Sequence, residues 1–277
     1  MIRVVTDSSS DVPSELAAQS GIEVVPLTIR FGDDEFVDRS DLSTASFWDK
    51  LVAADRLPET AAPSAGLFEE RYRSMIDEGA SGIVAITISS ELSGTYQSAV
   101  IAAERLAGAV PIRVIDSQNV GMALGLPVRE AARFAAGGAS IDEVASHSMD
   151  AIASTNIVGA LDTLEYLKRG GRMGSAQAFF GDLLKIKPLI TIENGAVAPL
   201  GRVRTRSKAI AALEERIAAI GPRIRAASVF HGAAQDVDSV VGRIEHHLDV
   251  PVIVTMLGAV VGTHTGPGTI GVAYLTD

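Results

Sequence analysis

The chain of 277 residues contains no cysteine, which excludes disulfide bridges, thiol nucleophiles and thiolate metal ligands. It has no apolar run of about 18 residues, the length that a membrane-spanning helix requires. The first residues, MIRVVTDSSSDV, lack the long apolar core of a secretory signal. We therefore expect a cytoplasmic protein without an integral membrane segment.

Positive charge is also scarce, because 24 Lys and Arg face 34 Asp and Glu and give a formal net charge of −10. This balance disfavours nucleic acid and anionic membranes as partners over the whole surface. Aromatic residues make up only 5% of the chain, yet apolar residues reach 47%, which is typical of a globular protein. The length suggests one large domain or two smaller ones.

Apolar runs alternate with helical patterns over the first half of the chain, which favours a mostly parallel sheet. The pattern changes from Asn156 onwards. In this second half, Asn194-Gly195 separates apolar runs at 183–193 and 197–204, which predicts a β-hairpin. We predict a two-domain α/β protein. Residues 1–154 form a domain with a mostly parallel sheet, and residues 155–277 form a domain with a mixed sheet.

Two stretches share the order strand, polar turn, helix. In the first, the turn is residues 7–11, DSSSD, and Pro13 opens a helix. In the second, an apolar strand at 83–88 leads into a turn with Ser89, Ser90 and Ser93. Such turns direct backbone N–H groups and the positive end of a helix dipole at an anion, but serines that merely cap a helix give the same pattern. The turn alone does not decide between these interpretations.

Other loops of the chain contain residues that could bind a ligand or take part in a reaction. Prolines and small residues indicate a loop at 57–65, LPETAAPSA. A small-residue loop at 260–268, VVGTHTGPG, surrounds His264 with hydroxyls and with glycines that allow close backbone approach, which favours a functional histidine. Two cationic clusters, LKRGGR at 167–172 and GRVRTRSK at 201–208, predict a local anion site, a docking patch for an acidic partner, or solvated charge at helix ends.

A Ser/His/Asp hydrolase is the enzyme that these loops could build, since Ser93 and His264 both lie in polar loops and several aspartates could orient the histidine. The sequence contains no G-x-S-x-G elbow, which weakens this alternative. The glycines of 266–271 fit the spacing of a dinucleotide fingerprint, but they run into a strand rather than a helix, so we reject dinucleotide binding.

Seven strings along nearly the whole chain together resemble the DegV family, whose characterised members include fatty-acid-binding subunits of bacterial fatty acid kinase. The strings occur in the family's order, which makes the resemblance specific. They are TDSSSD at 6–11, ISSELSGTYQSA at 88–99, IDS at 115–117, LEYLKRGGR at 164–172, IKP at 186–188, GRVRT at 201–205 and GTHTGPG at 262–268.

The resemblance implies a long-chain fatty acid buried between two α/β domains, with its carboxylate bound by Thr60, Ser93 and His264. One departure bears on this set. The family's Thr-Ser-Gln-Pro-Ser loop reads TAAPS at 60–64 in this chain, so Ala61 and Ala62 replace a serine and a glutamine. We expect fewer hydrogen-bond donors for the head group as a result. Serines 89 and 90 keep the capping interpretation.

The resemblance further implies that Arg172, Arg202 and Arg204 face a phosphorylated head group or a kinase partner. The sequence has no Walker A motif. We therefore expect a non-catalytic carrier, without metal or cofactor, that presents the fatty acid to a separate ATP-dependent kinase for acyl phosphate formation. Two alternatives stay open: a binding or regulatory protein for an apolar acid that works without a kinase, and a hydrolase centred on Ser93.

Overall fold

A computed structural model describes residues 1–179 and 186–277. Its strands are β1 (Ile2–Asp7), β2 (Ile22–Val25), β3 (Thr28–Phe31), β4 (Asp34–Val37), β5 (Glu59–Ala61), β6 (Gly82–Thr87), β7 (Ile112–Asp116), β8 (Thr155–Ala160), β9 (Lys187–Glu193), β10 (Ala196–Val203), β11 (Ile224–His231), β12 (Val252–Met256) and β13 (Ile270–Thr276). Its α-helices are α1 (Ser14–Gln19), α2 (Thr44–Ala53), α3 (Ala65–Asp77), α4 (Thr95–Arg105), α5 (Met122–Ala136), α6 (Ile141–Ala153), α7 (Glu165–Arg169), α8 (Arg206–Ala218), α9 (Val237–Glu245) and α10 (Ala259–Thr265).

The first half of the chain is built on a four-stranded parallel sheet in the order β2-β1-β6-β7. Every residue of β6 is buried, as expected for a central strand covered on both faces. Helices α3 and α4 pack on one face through side chains such as Phe68 and Ala99, and α5 and α6 pack on the other through Met122 and Val144. The parallel sheet that the sequence predicts is therefore confirmed.

The second half forms a six-stranded sheet in the order β10-β9-β8-β13-β11-β12. Only β11 and β12 are parallel, so the predicted mixed sheet is also confirmed. Strands β9 and β10 make the predicted hairpin, and both turn residues, Asn194 and Gly195, have positive φ, as a tight hairpin turn requires. The predicted strand at 183–193 is observed as β9, and positions 183–185 lie outside the described residues.

Helix α5 lies between the two large sheets and contacts strands of both. One hydrophobic cluster accordingly contains Val4 and Ile86 of the parallel sheet, Leu124 of α5, and Phe230 and Leu275 of the mixed sheet. The helix packs closely against the segment after β1, since a Cβ on its Gly125 would lie 2.6 Å from the carbonyl oxygen of Ser10. The halves thus share a packed core on this side. Within the described residues, no helix is both long and apolar enough to cross a bilayer.

A small antiparallel sheet, β4-β3-β5, and helix α2 join the first half to the second. Trp48 of α2 donates from its indole N–H to the carbonyl of Leu257 at 2.9 Å, and its ring packs where Gly232 and Gly262 leave room. The loop prediction for 57–65 is wrong in part, because Glu59–Ala61 pairs with β3 as a short strand that composition does not reveal.

The loop prediction for 260–268 also needs correction. Residues Ala259–Thr265 form the short helix α10, which ends at Gly266 with φ of 75°. Glycine favours this left-handed region, so it is a common stop signal for a helix. Local sequence does not indicate this helix, because its segment, AVVGTHT, contains β-branched residues and glycine, which have low helix propensity; burial stabilises the helix here.

Candidate functional site

A cavity lies between the two large sheets and beneath β5 and α10. Its volume is about 160 Å³, whereas a single water needs roughly 10–15 Å³ on the same measure. Glycines 94, 121 and 159 contribute backbone to its wall. The apolar side chains of the wall are those of Leu27, Ala62, Ile88, Leu92, Val120, Ile157, Leu161, Leu167, Ile190, Ile192, Val197, Phe230, Leu257, Val260 and Val261.

The polar side chains of the wall fall into two groups. In the first group, the hydroxyls of Thr191, Thr265 and Thr269 donate to backbone carbonyls at 2.7 to 3.1 Å. These threonines therefore satisfy their donors within the protein. The second group is Thr60, Ser93, Arg172 and His264, which we call the polar cluster.

Thr60 and His264 are in direct contact although 204 positions separate them in the chain, with 3.0 Å between Oγ1 and Nε2. Strand β5 holds the threonine, and helix α10 holds the histidine. The other ring nitrogen, Nδ1, is buried and has no hydrogen-bond partner within the described residues. Gly170 makes the packing possible, since a Cβ at that position would overlap the imidazole ring. This contact accounts for the first glycine of the LKRGGR motif, whereas Gly171 has a φ of 70° that favours glycine.

Arg172 lines the cavity and connects the parts of the polar cluster. Its guanidinium donates to the carbonyl of Gly170 at 2.6 Å and to that of Leu92, the neighbour of Ser93, at 3.3 Å. Burial, together with the nearby Arg172 charge, lowers the pKa of His264 to about 4. The imidazole is therefore neutral near pH 7, and the arginine supplies the positive charge of the cluster.

Ser93 lies just before helix α4 and faces the cavity together with Gly94. Its Oγ lies 2.8 Å from Oγ1 of Thr95 and accepts a longer bond, 3.4 Å, from the Thr95 amide. The N-cap residue itself, Gly94, makes no side-chain cap. Helix α4 thus begins beside the part of the cavity that Ser93 and Gly94 line, and the positive end of its dipole lies near that part.

The capping interpretation of Ser89 and Ser90 is wrong, because α4 begins only at Thr95. The Ser89 hydroxyl donates to the carbonyl of Gly195 at 2.7 Å and so connects this turn to the β9-β10 hairpin. The Ser90 hydroxyl donates to the carboxylate of Asp116 at 2.6 Å. Both serines serve contacts between elements that local sequence does not show.

The polar cluster lies where the cavity reaches the surface. Ala62 directly follows β5, and Gly94 directly follows Ser93. Both residues are exposed and also line the cavity. Of the two positions that depart from the family pattern, Ala62 lines the cavity, whereas Ala61 is not among the lining residues described. The mouth therefore carries a methyl group where the family pattern has a glutamine.

Arg202 and Arg204 are exposed at the end of β10 and after it, and neither is among the lining residues described. Their neighbour Arg206, which the sequence does not single out, bonds to two other segments of the chain. It forms two bonds with the carboxylate of Asp236, at 2.6 and 2.7 Å, and donates to the carbonyl of Gly268 at 2.5 Å. Arg206 thus anchors the segment that follows α10, and only tertiary structure distinguishes it within its cationic cluster.

In the part of the chain that the structure describes, no hydrogen bonds link Ser93, His264 and an acid into a catalytic triad. Within the described residues no hydrogen bond joins Ser93 to His264, since the serine contacts Thr95 and the histidine contacts Thr60. A nucleophile and its base need direct contact or one intervening water. The arrangement instead suits a ligand with a long apolar part and a small acidic head.

Fold and cavity together define an α/β protein with a binding cavity between two sheets. The chain belongs to the DegV family, because the family model described as "Uncharacterised protein, DegV family" matches residues 1–277. It is 41% identical to a DegV domain-containing protein of Streptomyces coelicolor, over 98% of this chain and 97% of the relative.

Two further relatives carry names that mention a ligand. A protein of Thermotoga maritima named fatty acid-binding protein is 31% identical over 98% of this chain and 96% of its own length. A solved structure described as fatty acid binding of a DegV family protein from Thermus thermophilus superposes with a TM-score of 0.92 at 31% identity, covering 100% of this chain and 99% of that one.

Proposed function

We propose that this protein binds one long-chain fatty acid in the cavity, with the carboxylate at Thr60, Ser93 and His264. The observation that carries the proposal is the distribution of polarity in the wall. The polar cluster, including the buried Nδ1 of His264 that has no hydrogen-bond partner among the described residues, lies at the mouth, whereas the remaining wall is apolar or has its hydroxyls satisfied by carbonyls. The fatty-acid-binding names of two relatives support the same ligand class.

The mostly apolar wall is suited to a ligand whose binding free energy comes from buried CH₂ groups. A sixteen-carbon chain at ~0.8 kcal/mol per buried CH₂ contributes on the order of 12 kcal/mol before the costs of ordering and association are subtracted. A carboxylate at the mouth would gain hydrogen bonds from the Ser93 and Thr60 hydroxyls and the field of Arg172. His264, neutral in the free protein, can offer one ring N–H to it.

The proposal extends to a carrier role. The bound acid would present its carboxylate at the mouth to a separate ATP-dependent kinase that forms the acyl phosphate, and the protein would contribute no catalysis of its own. Arg172 at the mouth, with Arg202 and Arg204 on the exposed end of β10, would face the phosphorylated head group or the kinase. A cytoplasmic location belongs to this proposal, since the reaction consumes ATP.

Extraction tests the ligand directly. Protein purified without detergent is denatured and extracted, and the extract is analysed by mass spectrometry. We expect a long-chain carboxylic acid in near-equimolar amount, and the lipid-stripped protein should take up added oleate. A purified protein that yields no such acid and binds no oleate would contradict the proposal.

The carrier role requires its own experiment. Protein loaded with oleate is incubated with ATP, with and without a candidate kinase, and any acyl phosphate is trapped by hydroxylamine as the hydroxamate. Product only in the presence of the kinase supports the carrier. Bound lipid that no candidate kinase phosphorylates favours the binding or regulatory alternative, whereas ester turnover that disappears in Ser93→Ala would favour the hydrolase.

A further inference from the structure

The segment Asp7–Asp11 is the most completely buried polar stretch of the described chain, and the proposed ligand does not touch it. Its side chains are at most 2% exposed, and none of its residues lines the cavity. Burial of two carboxylates is costly unless they are compensated by hydrogen bonds or opposite charge. The burial of these carboxylates therefore needs an explanation, and the hydrogen bonds of the segment provide it.

Asp7 holds the end of a cavity-lining strand. Its Oδ2 accepts the backbone N–H of Ile88 at 2.8 Å, while its Oδ1 accepts bonds from the amide and the hydroxyl of Ser9. Ile88 lines the cavity immediately after β6. Both carboxylate oxygens are thus occupied by donors, and the Asp7 side chain fixes where the Ile88 side chain lies.

The serines of the segment hold two more parts of the wall. The hydroxyl of Ser8 accepts the backbone N–H of Leu27 at 3.1 Å, and the carbonyl of Ser9 accepts that of Gly121 at 2.8 Å. Leu27 and Gly121 both line the cavity. The segment therefore bonds to three separate wall positions within the first half of the chain.

Asp11 reaches across to the second half. Its Oδ1 accepts the backbone N–H of Gly258 at 2.9 Å, at the start of α10, and its own carbonyl accepts the Thr255 hydroxyl at 3.2 Å. Gly258 follows Leu257, which lines the cavity, and a Cβ on Gly258 would lie 2.8 Å from Oδ1. The other oxygen, Oδ2, has no hydrogen-bond partner within the described residues, and Arg39 lies 3.7 Å from Oδ1.

We propose that Asp7 and Asp11 are positioning residues of the lipid cavity, which hold Ile88 and the start of α10 through their backbone amides. The inference rests on the proposed function. It gives the TDSSSD string a role in binding although none of its residues is among the lining residues described. The two aspartates hold two different parts of the wall, one after the parallel sheet and one at the helix that carries His264.

The two carboxylates should respond differently to an amide of the same shape. Asn at position 7 must place its NH₂ group against a donor, either the Ile88 amide or Ser9, because both oxygens of Asp7 accept bonds. Asn at position 11 can keep its oxygen on the Gly258 amide and place NH₂ where Oδ2 has no partner. Burial raises the pKa of both aspartates, to about 7 for Asp11, so the expected contrast rests on their hydrogen bonds and not on their charge.

The test measures oleate affinity by calorimetry on lipid-stripped, full-length protein, at a temperature where every variant is folded. We expect Asp7→Asn and Asp11→Ala to bind oleate about tenfold more weakly, and Asp11→Asn to stay within about twofold of wild type, as the loss of one buried hydrogen bond predicts. Leu213→Ala is the matched control, since Leu213 is fully buried in the separate core of α8 and does not line the cavity. It should lose stability and keep its affinity.

The outcomes separate the two claims. If wild type binds oleate and Asp7→Asn and Asp11→Ala bind equally well, the positioning role is wrong while the proposed function stands. Equal weakening in Leu213→Ala would show a general effect of stability and would also overturn it. Should Asp7→Asn fail to fold, the contrast between Asp11→Ala and Asp11→Asn still decides. A wild-type protein that binds no oleate contradicts the proposed function, and the inference with it.

Discussion

Two turns with the same local pattern follow neighbouring strands of the parallel sheet and have different surroundings. The turn after β1, residues 7–11, is buried throughout and its side chains bond to backbone groups of other elements. The turn after β6 reaches the cavity mouth, where Ser93 and Gly94 face open space. Both contain serines and acids, and both lead towards a helix.

The difference shows that a hydroxyl-rich turn at the carboxyl end of a strand is only a framework for function. Hydrogen-bond partners decide the role. Asp7 and Asp11 accept bonds from backbone amides, whereas the Ser93 side chain, among the described residues, bonds to Thr95 and also lines the cavity. Under the proposed function, the two turns form successive layers of one site, and the bond from the Ile88 amide to Asp7 connects the ligand-facing layer to the buried one. Four predictions test this comparison.

The largest effect concerns the charge of the buried turn. Burial raises the pKa of Asp11 from 3.8 to about 7, so the folded state holds a proton that the unfolded state releases. This contribution to stability is complete below pH 3.8 and is lost as the pH rises to about 7. At about 1.4 kcal/mol per pKa unit it amounts to at most ~4 kcal/mol. Urea unfolding across this range should show wild type losing stability relative to Asp11→Asn as the pH rises, and parallel curves would contradict the assignment.

The second effect has the opposite sign and belongs to the polar cluster. Burial lowers the pKa of His264 from 6.5 to about 4, so the unfolded state binds the additional proton between these values. Stability should therefore rise with pH from about 4 to 6.5, by at most ~3 kcal/mol. The same urea series on His264→Gln should lack this rise. A bound carboxylate favours the charged ring, so oleate should make the rise in stability of wild type less steep. A rise that oleate leaves unchanged would show that His264 does not contact the head group.

The third prediction separates affinity from stability. Ser93→Ala removes one hydrogen bond to a charged group, which costs roughly 1.5–3 kcal/mol of oleate affinity. The free energy of unfolding should change by less than about 1 kcal/mol, because the described hydrogen bonds of the Ser93 side chain all go to Thr95. Calorimetry and urea unfolding of the same preparation give both values. Unchanged oleate affinity would show that Ser93 does not bind the carboxylate.

The smallest effect belongs to Ser89, which lies in the same turn as Ser93 but bonds to the carbonyl of Gly195 at 2.7 Å. Ser89→Ala should lower the free energy of unfolding by about 1 kcal/mol and leave oleate affinity within about twofold. The two serines thus form a matched pair, one for stability and one for binding. A loss of affinity in Ser89→Ala as large as that in Ser93→Ala would show that the whole turn acts as a unit.

The sequence predicts those features that repeat along the chain or depend on close neighbours. Alternating strands and helices indicated the parallel sheet, and Asn194-Gly195 indicated the hairpin; the structure has both. The family resemblance placed Thr60, Ser93 and His264 at one carboxylate, and all three line one cavity. It grouped Arg172 with Arg202 and Arg204, but of these arginines Arg172 alone is among the lining residues described. Their roles in binding stay predictions, as does the division into domains at residues 154 and 155.

Tertiary packing accounts for what the sequence does not predict. Strand β5 exists because it pairs with β3, and α10 exists because its apolar face is buried, although neither segment has the matching local propensity. The fit of Gly170 against the ring of His264 and the bonds of Arg206 to Asp236 join residues that lie far apart in the chain. Such contacts leave no periodic signal along the chain.

A crystal structure of the protein with oleate tests the central claim most directly. The account predicts the acyl chain between the two large sheets, along Ile88, Phe230 and Leu257, with the carboxylate within hydrogen-bond distance of the Ser93 hydroxyl and of Thr60 or His264. Oleate bound outside this cavity, or bound within it with the carboxylate away from these side chains, would contradict the account.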